Sequence, residues 1–311
     1  MNAIADAKRE GMVLLRGGEF WMGSEDFYPE EAPVRLASVG DFWIDARPVT
    51  NAQFARFVAE TGYVTFAEKA PDPALYPGMD PAMAKPGSAV FTPTRGPVNL
   101  NDPSQWWRFV FGADWRHPRG PDSAIDRLME HPVVQIAYED ALAYAEWAGK
   151  ALPTEAEWEF AARGRLDRAP YAWGEDFEPG GKSMANTWRG DFPWRRKGPM
   201  GALTSKVGAY PPNGYGLYDM IGNVWEWTVD WYAEGTATTD GCCGQPRARL
   251  AEEAESYDPA TPAVRIPRKV LKGGSHLCAP SYCRRYRPAA RHPQAIDSPT
   301  SHIGFRCVVR A

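Results

Sequence analysis

The chemistry-bearing residues of this 311-residue chain are first of all its five cysteines. Two of them, Cys278 and Cys283, fall five positions apart in Gly273-Gly274-Ser275-His276-Leu277-Cys278-Ala279-Pro280-Ser281-Tyr282-Cys283. Pro280 rules out a regular helix through the pair, because its ring removes a backbone donor and clashes with the preceding turn. A bent loop must therefore bring the two sulfurs together. Such a loop can chelate one soft metal ion, close a disulfide, or hold two unrelated thiols. Thiolates suit Cu(I), zinc or iron–sulfur iron. A closed four-sulfur zinc site needs further Cys-x-x-Cys ligands that the sequence lacks. Cu(I) is content with few soft ligands, so a two-sulfur loop suits it and leaves room for a third sulfur.

Other candidates carry weaker signals. Cys242-Cys243 lies between Gly241 and Gly244, where a disulfide between neighbours would be strained, and is taken as a loop detail peculiar to this chain. Cys307, in Gly304-Phe305-Arg306-Cys307 on an apolar terminal strand, is expected to be a buried free thiol that behaves as a small hydrophobe. Between Asn213 and Trp227, Asp219 and Glu226 could supply carboxylate oxygens, with the Gly222 and Val224 carbonyls between them. That is either a small calcium loop, though not an EF-hand, or a turn with solvated acids beside core tryptophans. The histidines His117, His131, His276, His292 and His302 show no H-x-x-x-H spacing, and each is expected to be a hydrogen-bonded structural residue. Only His276 lies inside the cysteine loop. No Walker A loop, nucleophile elbow or dinucleotide fingerprint is present.

Short elements between long loops must position these residues. Met12–Leu15, Phe20–Ser24 and Asp41–Asp45 have strand character, as does Val270-Leu271, which Gly273-Gly274 interrupts. Thr50 is an N-cap for a helix carrying Phe54, Phe57 and Val58 and ending at Gly62. Tyr138, Leu142 and Ala145 mark one face of a second helix, ending at Gly149. Thr154 and Glu157 form a capping box for a third, with Trp158, Ala161 and Ala162 inward and Gly164 as the stop. Residues 64–130, rich in Pro, Gly, Asp and Trp, show no periodicity, and from 165 onward only short strands and loops are expected. The fold class is α+β with much irregular structure, in one domain over residues 1–311.

Composition bounds the function. A net charge of −4 with no long basic run excludes nucleic acid as a partner class. No apolar run of 18 residues exists, which argues against a transmembrane helix, and the first residues are polar rather than signal-like. Five cysteines are too few for a disulfide scaffold, and a cytoplasmic protein with reduced thiols is expected.

Several segments together resemble the sulfatase-modifying-factor family. They are Gly17-Gly18-Glu19-Phe20-Trp21-Met22-Gly23, Pro48-Val49-Thr50-Asn51, His131-Pro132-Val133, Leu152-Pro153-Thr154-Glu155-Ala156-Glu157-Trp158-Glu159, Asn213-Gly214-Tyr215-Gly216-Leu217, Gly222-Asn223-Val224-Trp225-Glu226-Trp227 and Gly304-Phe305-Arg306-Cys307. The resemblance implies a variant of the C-type-lectin-like fold, but members with that fold have several activities. Gly273 to Arg291 resembles the narrower active-site segment of formylglycine-generating enzymes. That likeness implies oxidation of a cysteine in a Cys-x-Pro-x-Arg motif of a nascent, unfolded sulfatase to formylglycine, with O2 as co-substrate and Cu(I) held by Cys278 and Cys283. It also implies that Ser275, Tyr282 and Trp225 line the pocket where substrate sulfur meets copper, and that the protein is a monomer. Structural calcium is implied at Asp219, Gly222, Val224 and Glu226. A second calcium site matches only at Asn186 and Thr187, since the downstream Asp-Gly-aromatic segment is replaced by Lys197-Gly198-Pro199-Met200-Gly201-Ala202. Ala162 and Pro288 stand where secreted animal members have cysteines, which leaves Cys307 without a mate. Two alternatives on the same fold remain: an iron-dependent sulfoxide synthase, which would need a histidine-rich site, and a non-catalytic calcium-stabilised binding module.

Overall fold

The structure is a computed structural model that describes residues 9–197, 204–234, 237–238 and 247–310. Cys242, Cys243 and most of the segment expected to complete the second calcium site lie outside the described residues. The chain opens with β1 (Met12–Leu15), β2 (Gly18–Met22), β3 (Arg35–Val39) and β4 (Phe42–Asp45). Helix α1 (Asn51–Thr61) begins where the Thr50 hydroxyl accepts from the Gln53 amide and the Gln53 side chain accepts from Thr50. It ends at Gly62, whose φ of 68° is the left-handed conformation that glycine adopts without strain.

The stretch read as irregular contains an antiparallel hairpin, β5 (Gly87–Phe91) with β6 (Trp107–Phe111). It escaped the periodicity reading because β5 is buried on both faces and carries Gly, Ser and Ala, so hydrophobic and polar residues do not alternate. Helices α2 (Tyr138–Trp147) and α3 (Glu155–Arg163) follow, the second with the capping box of Thr154 and Glu157. The remainder is β7 (Gly190–Asp191), β8 (Arg195–Arg196), β9 (Trp225–Trp231), β10 (Ala237–Thr238), β11 (Arg247–Ala248), β12 (Arg268–Lys272), β13 (Arg291–Ala295), β14 (Ile303–Gly304) and β15 (Val308–Arg310). This is the α+β class expected, with little regular structure.

Sheet topology brings distant segments together. The orders are β1-β4-β15, β10-β11-β3-β2 and β13-β12-β9-β14, beside the β5-β6 and β7-β8 pairs. Within the third sheet β12 runs antiparallel to both β13 and β9, while β14 is parallel to β9. The cysteine loop is the connection from β12 to β13. An apolar cluster that includes Phe54, Tyr144, Trp227 and Phe305 also contains Cys278 and Cys283, so the loop shares one core with α1 and α2.

Both ends of that loop are fixed by buried ion pairs. Lys272, at the end of β12, donates to Glu159 of α3 at 2.9 Å. Arg287 pairs with Glu31, both fully buried. Arg291, at the start of β13, meets the Glu155 carboxylate with two nitrogens at 2.9 and 3.0 Å. Burial alone would raise Glu159, but Lys272 and Arg163 hold it down at about 2. No helix among the described residues is long and apolar enough to cross a membrane.

Candidate functional site

The Gly273-Gly274 pair begins the loop with φ values of 92° and 71°, which place both residues in the left-handed region. A Cβ on Gly274 would stand 2.5 Å from the Arg285 carbonyl oxygen, so the start of the loop closes directly on its own far side. Beyond Pro280 the chain turns tightly: the Tyr282 and Cys283 amides both donate to the Ala279 carbonyl, at 3.0 and 2.7 Å. This turn is the bend expected from the proline. It brings Cys278 Sγ to 3.3 Å from Cys283 Sγ. The two sulfurs are therefore partners, not unrelated thiols. They stand as free thiols, since a disulfide would hold them at about 2.05 Å.

The pair is electrostatically uneven. Cys283 is lowered to about 6, chiefly by the hydrogen bond from Cys278, against the opposing effect of burial, with Arg285 also favouring its charge. Cys278 is pushed well up by burial and by its neighbour. Negative charge on the pair is therefore favoured at Cys283, with Cys278 as the hydrogen-bond donor. Arg285 Nη1 lies 3.9 Å from Cys283 Sγ, and the Glu30 carboxylate fixes the guanidinium at 2.6 and 3.0 Å.

The sulfurs open into a cavity of ≈ 320 Å³. Ser275, Tyr282 and Trp225, three residues singled out from the sequence, line it with them. Ser275 is fully buried, and its hydroxyl accepts from the Leu277 amide at 3.2 Å. Tyr282 stacks on Phe192 with ring centroids 4.4 Å apart, and burial raises its phenol to about 12, so it remains a neutral donor. Trp225, the first residue of β9, stacks on the His292 ring at 5.6 Å.

Sequence reasoning missed part of the lining: Trp107, Arg285, His292 and His302. Arg285 stands two residues past Cys283 in the loop itself, but no spacing rule could have found the other three, since β6, β13 and the turn before β14 meet only in the folded chain. Burial lowers His292 to about 4 and pushes His302 down as well, so both rings are neutral near pH 7. His276 does not join them. It is fully buried, and Nδ1 donates to the Asn223 carbonyl at 2.7 Å, a structural hydrogen bond as expected.

Neither Asp219 nor Glu226 is solvated. Glu226 is fully buried and accepts from Trp158 Nε1 at 2.7 Å and from Arg306 at 2.7 and 2.8 Å. A carboxylate offers about four lone-pair sites, so acceptor capacity remains. Asp219 accepts from the Gly208 amide at 2.6 Å, and burial pushes its carboxyl up to about 6, the mark of an undercompensated buried charge. Both residues fit a hard cation. At Asn186 the case differs. Its side-chain oxygen accepts from Arg196 at 2.7 Å, so a guanidinium already stands there, and no Asp or Glu occurs between Asp191 and Asp219. The second site thus keeps only the Asn186 and Thr187 end of its expected pattern. Cys307, just before β15, is a fully buried free thiol.

A family model described as the sulfatase-modifying factor enzyme 1-like domain matches residues 2–311. A protein of Mycobacterium tuberculosis named formylglycine-generating enzyme is 56% identical over 301 residues, covering 96% of this chain and 97% of that one. One of the same name from Thermomonospora curvata is 46% identical over 303 residues, covering 96% and 93%. Among solved structures, PvdO from Pseudomonas aeruginosa superposes with a TM-score of 0.62 at 23% identity, over 96% of this chain and 94% of that one. The last likeness speaks for the fold alone.

Proposed function

The chain belongs to the sulfatase-modifying factor family, and from that membership we propose that it is a formylglycine-generating oxidase. Its client is a sulfatase polypeptide presented unfolded, whose cysteine within Cys-x-Pro-x-Arg becomes the aldehyde residue, with O2 as co-substrate. The observation that carries this reading is the Cys278–Cys283 pair, 3.3 Å apart at the wall of a cavity sized for a guest side chain. The pair fits Cu(I): two soft donors, with negative charge favoured on one, facing a space that can admit a third sulfur. When bound there, copper would supply the one-electron chemistry that engages O2.

The chain's own residues prepare that reaction. Arg285, pinned by Glu30, keeps negative charge on Cys283 and offers the cavity a fixed positive group. Trp225 and His292 form a flat apolar wall, which orients a guest and excludes water. Tyr282 and Ser275 bring hydroxyls to the same space, where a neutral phenol can donate to an oxygen. The iron-dependent alternative would need a cluster of ligands, and no group of three or more His, Cys, Asp or Glu converges among the described residues. We also propose one structural calcium, held by Asp219 and Glu226 with the Gly222 and Val224 carbonyls, in a cytoplasmic monomer.

The deciding experiment gives copper-loaded protein, O2 and a Cys-x-Pro-x-Arg peptide, with mass spectrometry reading conversion of cysteine to aldehyde. Cys278→Ser and Cys283→Ser abolish conversion, whereas Cys307→Ser, which alters a thiol outside the cavity lining, keeps it. An unmodified peptide under copper and O2 overturns the reading.

A further inference from the structure

The β5–β6 hairpin carries aromatic side chains that neither the core nor the cavity chemistry uses. Trp107, Phe109 and Phe111 occupy alternate positions of β6 and so project from one face. Trp107 lines the cavity, its ring 4.8 Å from that of His302. Phe109 and Phe111 are 47% and 39% exposed, with their rings edge to face at 5.7 Å.

Strand register explains why the paired strand does not cover them. Ala89 and Gly87 are their partners across the ladder, too small to overlie the rings. Gly87 cannot be larger, because a Cβ there would stand 2.5 Å from the Val110 carbonyl oxygen and 2.9 Å from the Phe109 ring. On the opposite face of β6, half-buried Val110 lies close against Gly120. Ala89 itself lines the cavity, so the exposed pair begins where the cavity ends. Single exposed aromatics need no explanation. Two in mutual contact, in line with a third that walls a reaction cavity, form a continuous apolar strip.

We propose that this strip seats apolar side chains of the extended client polypeptide on one flank of the cysteine that enters the cavity. The inference rests on the oxidase reading above and adds where its client is held. A cavity of ≈ 320 Å³ takes a side chain and not a folded segment, so the client's backbone must leave across the rim. From Trp107 to Phe111 the strip runs about 14 Å, the length of about four extended residues. An extended chain repeats its side chains with the same period of two, so alternate apolar residues meet Phe109 and Phe111 in turn. Lys85 lies over the Phe111 ring at 5.3 Å and bounds the outer end.

Copper-loaded wild-type protein and the double variant Phe109→Ser/Phe111→Ser are compared on three peptides. The first carries the motif and stops about two residues beyond it. The second extends both flanks by about six residues with Leu or Phe at alternate positions, and the third replaces those with Ser. Wild-type protein shows a KM for the apolar-flanked peptide about tenfold below the other two, which corresponds to ~1.4 kcal/mol. The double variant loses that advantage with kcat unchanged, and it turns over the short peptide, which cannot reach the strip, as the wild type does. Equal KM values for all three peptides on wild-type protein, or an apolar advantage retained by the variant, overturn the proposal while leaving the oxidase reading intact. So does a dimer of the wild type, seen in sedimentation, that the double variant disperses, because the strip is then covered by a second copy. Conversion of none of the peptides by wild-type protein removes the oxidase reading and the strip with it.

Discussion

At the scale of single residues, the site depends on an asymmetry between two chemically identical groups. Cys283 keeps its negative charge mainly because Cys278 donates to it, with Arg285 as a further source of support. Removing the donor must therefore raise the Cys283 pKa. In copper-free protein, the rate of Cys283 alkylation against pH should rise through a midpoint near 6. In Cys278→Ala that midpoint moves up towards the ordinary thiol value of about 8.5. A midpoint unchanged in the variant would show that Arg285 and the backbone alone hold the charge. Gly274 is the backbone counterpart. With φ of 71° and no room for a Cβ beside the Arg285 carbonyl, Gly274→Ala must reshape the loop that sets the sulfur spacing. It should cost about 1–3 kcal/mol in urea unfolding and abolish aldehyde formation.

At the scale of elements, α3 acts as a carboxylate-bearing post to which the loop's flanking strands are tied. Glu159 neutralises Lys272 at the end of β12, and Lys272 is fully buried. Glu159→Gln removes the nearer carboxylate of that ammonium, leaving it Glu155 at 3.5 Å, and also strips Arg163 of its partner, so it should destabilise the fold by about 3–5 kcal/mol. Glu159→Gln combined with Lys272→Met should recover part of the loss, because the apolar replacement removes one stranded charge while Arg163 still lacks its carboxylate. The pH dependence follows from the sign of the shift. The carboxyl is held at about 2, below the ordinary 4.5, so its contribution is complete above pH 4.5 and is lost as pH falls towards 2. Urea melts between pH 2 and 5 should be steeper in wild type than in the double variant. How much of this was legible beforehand varies by element. The caps at Thr50 and Thr154 disclosed α1 and α3, and Pro280 disclosed the bend, because local backbone chemistry decides each. The β5–β6 hairpin stayed hidden because its burial on both faces erases alternation. His292 and His302 stayed hidden because only the β13-β12-β9-β14 sheet order carries them to the cavity. The resemblance named the residues around the sulfurs. It could not disclose the ion pairs that clamp the loop, since each joins residues more than a hundred positions apart.

At the scale of the whole molecule, the described residues form three α-helices and strands of at most seven residues, which leaves much of the backbone irregular. Cys278, Cys283 and Cys307 are free, so no disulfide joins the described residues. Cohesion must come from aromatic clusters and from charges shared between distant segments. Arg306 illustrates the second: it binds the Glu226 carboxylate and the carbonyl oxygens of Asp45, Tyr218 and Asp219, joining four parts of the chain. Asp219 is the place where this scheme is incomplete, because its buried charge meets one backbone amide and no adjacent ion pair. A calcium ion there would supply the missing positive charge and draw the Gly208 and Glu226 segments onto one centre. Binding to the folded state alone stabilises it by mass action, about 2.7 kcal/mol when calcium is at a hundred times its Kd. The melting temperature should therefore rise with added calcium and fall with a chelator. Asp219→Ala should flatten the calcium response, whereas Asn186→Ala, at the site already held by Arg196, should leave that response in place. A calcium increment of full size in Asp219→Ala would place the ion elsewhere, and the undercompensated carboxylate would then stand as a cost that the fold carries unaided.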